Sequence, residues 1–291
     1  MKRKILLILL VMMPLMLISC QNRQNRITEK VVSAIQNGDT ERAKELIMTD
    51  GYDVNTPTFH ESKLGVMFEI VPTNALITAC KEGNAEIVSL LLERGAKTSP
   101  KDNIGVSPLV ETMRYFQEDD PAIVKMLVEA GADVNEPDGT MWEPILLCAS
   151  NFPEEYNRDR SPVYSGIYDE KIAKAITSMV GYLVENGANT VDDIGITVLH
   201  RAAEANNIEL IKYSVEVLGV SVNYKNIHGQ TPLFYIYGNS EYCDKTVELL
   251  IDYGADLSAV DDSGKTAYDR AVELGYERLA ELLKPIETQA A

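Results

Sequence analysis

Apolar residues along most of this chain return in short helical stripes that close on the same punctuation. Ile87-Val88-Ser89-Leu90-Leu91-Leu92 runs into Glu-Arg-Gly-Ala, and later stripes end in Glu-Ala-Gly-Ala, Glu-Asn-Gly-Ala and Asp-Tyr-Gly-Ala, which carry Gly131, Gly187 and Gly254. Apolar positions three and four apart predict amphipathic helices, and a glycine directly after such a stripe closes the helix in the left-handed conformation. A second glycine series, Gly105, Gly139, Gly195, Gly229 and Gly264, opens the following units. Gly105 to Gly139, Gly195 to Gly229 and Gly229 to Gly264 are separated by 34, 34 and 35 residues. A fixed period of this length marks a repeat architecture in which each unit buries its apolar face only against a neighbour.

The strings at the unit openings carry a family resemblance. Gly229-Gln230-Thr231-Pro232-Leu233-Phe234 and Gly195-Ile196-Thr197-Val198-Leu199-His200-Arg201-Ala202-Ala203 resemble the ankyrin opening Gly-x-Thr-Pro-Leu-His-x-Ala-Ala. Ala132-Asp133-Val134-Asn135 and Ala255-Asp256-Leu257-Ser258 are similar to its ending. The resemblance implies an all-α fold: an ankyrin-repeat solenoid of about seven helix-turn-helix repeats with β-hairpin fingers. The units begin near Thr28, Lys63, Asn103, Gly139, Asp193, His228 and Ser263, the first and last serving as caps. It also implies that Thr231 helps cap a helix, that Pro232 starts it, and that His200 bonds between repeats.

The amino terminus reads as an address. Lys2-Arg3-Lys4 and the apolar run Ile5 to Ile18, broken by Pro14, have the charged and apolar regions of a secretory signal. That run is shorter than the roughly 20 apolar residues of a membrane-spanning helix. It ends in Leu17-Ile18-Ser19-Cys20, which resembles the lipobox of bacterial lipoproteins. The resemblance implies cleavage before Cys20 and acyl chains on its sulfur and amine. Residues 1–19 are then a signal peptide, 20–27 the lipidated cysteine and a flexible tether, 28–285 the repeat domain and 286–291 a carboxy-terminal tail.

Charge and composition narrow the function. The 45% apolar and 24% charged content suits a folded chain. The formal charge of −17 becomes −20 once Lys2, Arg3 and Lys4 are removed, so nucleic acid, which needs a basic surface, is not an expected partner. Four scattered cysteines give neither a disulfide framework nor a zinc spacing. His60, His200 and His228 form no metal or triad pattern. Asp119-Asp120, Asp192-Asp193 and Asp261-Asp262 fall in turns, where acidic residues are ordinary. With no phosphate-binding glycine loop and no nucleophile elbow, the chain is not expected to be an enzyme or to carry a cofactor or metal.

Departures from the repeat pattern mark the expected contacts. Thr56 to Val71 is longer than a usual finger and should make an enlarged β-finger that includes Phe68. Gly139 to Gly195 spans 56 residues and holds Trp142, Tyr156, Tyr164 and Tyr168. The sixth unit follows Tyr235-Ile236-Tyr237 with an irregular stretch. Aromatic residues dominate interface hot spots, so Phe68, Trp142, Tyr156, Tyr164 and Tyr168 are the candidate partner contacts and Cys20 the lipid attachment. The expectation is a monomeric, membrane-anchored protein-binding module of the bacterial cell envelope, in a sharper form an immunity or protective protein. The alternative is a structural scaffold bridging membrane and cell wall.

Overall fold

The computed structural model of the chain describes residues 23–64, 67–99, 107–114, 120–136, 146 and 170–284. The chain divides into two units, residues 1–112 with 117–133 and residues 113–116 with 134–291. In the first, α1 covers residues 23–36, followed by α2 (Thr40–Ile47), α3 (Ala75–Lys81), α4 (Ala85–Glu93), α5 (Pro108–Arg114), which begins in it, and α6 (Asp120–Glu129). The second holds α7 (Glu170–Glu185), α8 (Val198–Glu204), α9 (Ile208–Glu216), a 3₁₀ turn at Pro232–Tyr235, α10 (Glu241–Asp252), α11 (Ala267–Glu273) and α12 (Glu277–Leu283).

Short polar side chains start these helices. Asn74, Asn84 and Asn207 each accept a bond from the backbone N–H three residues on, at 2.8, 3.1 and 3.0 Å, which satisfies a donor the helix cannot pair internally. Closing helices pack in a row, α2 on α4 and α4 on α6 in the first unit, and α7, α9, α10 and α12 in turn in the second. Opening helices form another row in the second unit, α8 against the 3₁₀ turn and the turn against α11. Between the rows lie side chains such as Ile176, Leu183, Leu199, Leu210 and Leu250, and in the first unit Ile47, Ile87 and Leu91, all fully buried. Each contributes about 1.5–3 kcal/mol by leaving water.

The enlarged finger is a two-stranded antiparallel hairpin, β1 (Thr58–Leu64) and β2 (Met67–Thr73), in register from Thr58 opposite Thr73 to Leu64 opposite Met67.

Two expectations are corrected. Residues 23–27, marked by their polarity as part of a flexible tether, are helical. The side chain of Gln24 donates to the Gly51 carbonyl at 2.5 Å and accepts from the Asp53 N–H at 3.0 Å, while Thr28, Val31, Val32 and Ile35 are buried beneath. The other correction concerns Thr231, whose hydroxyl makes no cap bond and has no hydrogen-bond partner. At Thr197 and Thr266 a reciprocal capping box forms because His200 or Asp269, three residues on, accepts from the threonine N–H. Phe234 holds that place in the sixth unit and has no acceptor, and the opening helix there shrinks to the 3₁₀ turn begun by Pro232.

Among the described residues, neighbouring repeats are joined by one device used three times. The Asn55 amide donates to the Gly95 carbonyl at 3.1 Å and accepts from the Lys97 N–H at 2.9 Å. Asn135 does the same with Gly187 and Asn189 at 2.9 and 2.8 Å, and Asn223 with Gly254 and Asp256 at 3.0 and 2.8 Å. Gln24, on α1, copies this geometry on Gly51 and Asp53. Asn223→Ala should cost about 1–2 kcal/mol for the two bonds lost. Urea denaturation checks this, and Asn223→Asp, which keeps only the accepting half, should fall between the variant and the native chain.

Candidate functional site

The finger turns of the second unit are built on one polar residue each. The Asp192 carboxylate accepts from the N–H groups of Ile194 and Ile196 at 3.0 and 2.7 Å. The Asn226 side chain accepts from His228 and Gln230 at 2.9 and 3.0 Å, and Asp261 from Ser263 and Lys265 at 2.9 and 3.1 Å. The carboxylates of Asp192 and Asp261 are thus committed to holding backbone, and the Ser263 bonds keep Asp261 below the usual carboxylate range against a smaller opposing effect of burial. Among the described residues no group of histidine, cysteine or carboxylate side chains is placed to hold a metal ion.

Adjacent turns touch backbone to backbone. Ile227 N–H donates to the Ile194 carbonyl and Asp262 N–H to the His228 carbonyl, both at 3.0 Å. Glycine permits this approach: a Cβ on Gly195 would stand 3.0 Å from Asn226 Cα, and one on Gly229 3.0 Å from an Asp262 carboxylate oxygen and 3.2 Å from Asp261 Cα. Both glycines have positive φ, 78° and 73°, so the site demands the residue twice over.

On this frame the fingers expose apolar side chains. Ile194 and Ile227, on the directly bonded tips, are 40% and 59% exposed, and Val191, Tyr224 and Val260 are comparably open. A rigid backbone presenting adjacent apolar tips suits burial against a partner. Behind them the opening helices carry polar groups. His200 is fully buried and lies edge-on to Tyr235, ring centroids 5.0 Å apart, with Tyr224 at 6.3 Å. Its Nδ1 accepts from Thr197 N–H at 3.1 Å, leaving the proton on Nε2, which donates across to the Gln230 carbonyl at 3.2 Å. This is the repeat-to-repeat bond expected of it. Burial above all, then the nearby Arg201 charge, pushes its pKa down to about 4, with the Gln230 carbonyl opposing.

Arg201, 4% exposed, pairs with Glu204 at 2.7 Å. Asn226 donates to the Tyr235 hydroxyl at 2.9 Å. Burial raises the Tyr235 and Tyr237 hydroxyls above the ordinary phenol value, the positive charge of Arg270 pulling the latter back, so both phenols are uncharged at neutral pH.

Of the residues predicted from sequence, Phe68 lies in β2 opposite Lys63; Cys20, Trp142, Tyr156, Tyr164 and Tyr168 fall outside the described residues. Ile194 and Ile227 are not among those candidates. The signal was present, since each replaces a polar residue at a finger tip: aligned on Asp192, Asn226 and Asp261, Ile194 stands where the later fingers have His228 and Ser263, and Ile227 where the others have Asp193 and Asp262.

Comparison with known proteins places this architecture. The family model for Ankyrin repeats (3 copies) matches residues 31–138, 172–257 and 199–290. The ankyrin repeat protein YahD of Escherichia coli (strain K12) is 26% identical over 216 residues, which cover 73% of this chain and 95% of that protein. Among solved structures, the ankyrin repeat protein EF0377 superposes with a TM-score of 0.53 at 24% identity, over 72% of this chain and 96% of that one. The human ASB11 ankyrin repeat domain superposes with a TM-score of 0.61 at 22% identity, over 89% and 99%. The structural likenesses speak to the fold; the family model, matching most of the chain, speaks to descent. Ankyrin-repeat proteins generally act as protein-binding modules and are typically non-enzymatic. With its capped helix pairs, asparagine joints and glycine-closed fingers, the chain belongs to the ankyrin-repeat family.

Proposed function

We propose that this chain is a lipid-tethered protein-binding module of the bacterial cell envelope, held through Cys20 and engaging a protein partner with the fingers of its second unit. The observation that carries the binding reading is the exposed Ile194–Ile227 pair on a backbone frame fixed by Gly195, Gly229 and the turn side chains. The tether reading rests on Leu17-Ile18-Ser19-Cys20 after a basic and apolar leader. A mature charge of −20 favours a basic partner, which suits a protective role against a cationic protein.

Crosslinking and pull-down from intact cells test it with three chains: native, Ile194→Ser with Ile227→Ser, and Trp142→Ala with Tyr164→Ala and Tyr168→Ala. A partner captured by the native chain and reduced at least about tenfold by the isoleucine variant, as loss of central apolar contacts gives, places contact on the fingers. Loss only with the aromatic variant moves the contact to the fourth unit. Equal capture by all three removes both surfaces from the proposal.

A further inference from the structure

The outer face of α1 carries charge opposite to the rest of the chain. Arg23, Arg26 and Lys30 are spaced three and four apart, and all are exposed. At 3.6 residues per turn they fall within about 60° of the helix circumference. Ser33 and Asn37 continue the strip without charge, and Glu29 flanks it. Across the shallow groove between α1 and α2 stand Asp39 and Arg42, the latter paired with Glu45 at 2.7 Å. Among the described residues, none of the three basic side chains on α1 takes part in an ion pair. Residues 20–38 contain these three basic groups and one acid, on a mature chain whose charge is −20.

The helix is fixed to the first repeat by the two Gln24 bonds, at 2.5 and 3.0 Å, and by the burial of Val31, Val32 and Ile35. Cys20 is three residues from Arg23, so a fully extended chain separates them by at most about 11 Å. That reach is close to the Debye length of about 8 Å at physiological salt. A lipid chain on Cys20 would therefore deliver the basic strip to within the range of a leaflet's surface charge.

We infer that the Arg23–Arg26–Lys30 face of α1 is a docking surface for anionic phospholipid headgroups, which acts with the acyl chains to hold the first repeat against the membrane. This rests on the lipid-tether reading. Basic groups beside a lipid anchor strengthen attachment to an anionic leaflet, whereas a uniformly acidic protein would be repelled by it.

The test uses the mature chain, residues 20–291, with one acyl chain coupled to Cys20; Cys80 and Cys243 are buried, and Cys148→Ser removes the other thiol. A single chain binds bilayers only marginally, with a constant of about 10⁴ M⁻¹, so added electrostatic binding is readable. Binding is measured to phosphatidylcholine vesicles with and without phosphatidylglycerol. Phosphatidylglycerol should raise partitioning at least about tenfold, a gain lost at high salt and in a variant carrying Arg23→Gln, Arg26→Gln and Lys30→Gln. Unchanged or weaker binding on adding phosphatidylglycerol, or a variant that keeps the gain, overturns the inference. Fatty-acid labelling in cells, compared with Cys20→Ala, tests the tether separately: absent labelling sinks the lipoprotein reading, and a vesicle failure with labelling intact sinks only the headgroup surface.

Discussion

Acidification from pH 7 to below pH 4 should remove about 3 kcal/mol of stability through His200 alone. Its folded pKa of about 4 lies below the ordinary 6.5, so the unfolded chain binds the proton more readily across that window. The direction follows from that difference: the contribution is fully present above pH 6.5 and is lost as pH falls through about 4, at roughly 1.4 kcal/mol for each pH unit between the two values. The loss has a structural reading, because a protonated Nδ1 can no longer accept from Thr197, and the ring is fully buried between the fifth and sixth repeats. Proton NMR of the imidazoles checks this directly, since the chain has three histidines. The His200 resonance should hold its neutral position through pH 5, and a midpoint near 6.5 would contradict the burial argument. Urea midpoints at neutral and acid pH, compared with those of His200→Asn, separate this site from the many carboxylates.

Glu204→Ala should be nearly as damaging, costing about 2–3 kcal/mol. Arg201 is 4% exposed and Glu204 lies 2.7 Å from its guanidinium, and removing the carboxylate takes a close counter-charge away from a buried cation. Replacing both, Arg201→Met with Glu204→Ala, should recover most of the loss, because a buried pair exchanged for an apolar side chain is often neutral. A denaturation cycle on the two single variants and the double reads this out. A loss below about 0.5 kcal/mol for Glu204→Ala would place the pair with solvent-exposed bridges of little weight.

The repeat frame was legible in the sequence because its determinants are local. A glycine after an apolar stripe and a threonine at a unit opening act within a turn of where they stand: Gly95 closes its helix at positive φ as read, and Thr197, in the opening string, caps its own. Residues 23–27 escape such a reading because Gln24 earns its helical place from backbone groups of Gly51 and Asp53, far along the chain. Thr231 escapes it for a related reason: the capping box needs a partner three residues on, and Phe234 supplies none. Insertions and aromatic side chains are what a sequence displays as candidate contacts. Ile194 and Ile227 lie in fingers of ordinary length, and their proximity depends on the Ile227 N–H reaching the Ile194 carbonyl, a pairing that repeat alignment alone does not display.

The joints at Asn55, Asn135 and Asn223 have an implication for how such a chain changes over time. Each asparagine reads only a carbonyl and an N–H two residues further on, groups that every non-proline residue offers. The carbonyl belongs each time to a glycine with positive φ, Gly95, Gly187 or Gly254, while the N–H comes from Lys97, Asn189 or Asp256, whose side chains differ. A coupling that asks only for this helix-closing glycine and a backbone N–H lets a whole unit that carries the glycine be duplicated, deleted or exchanged by recombination without redesigning the seam. Even Gln24, a residue of different length approaching from a helix, fits the same receptor. Gain and loss of units, more than point substitution within the seams, is then the route by which this molecule would acquire a new binding surface.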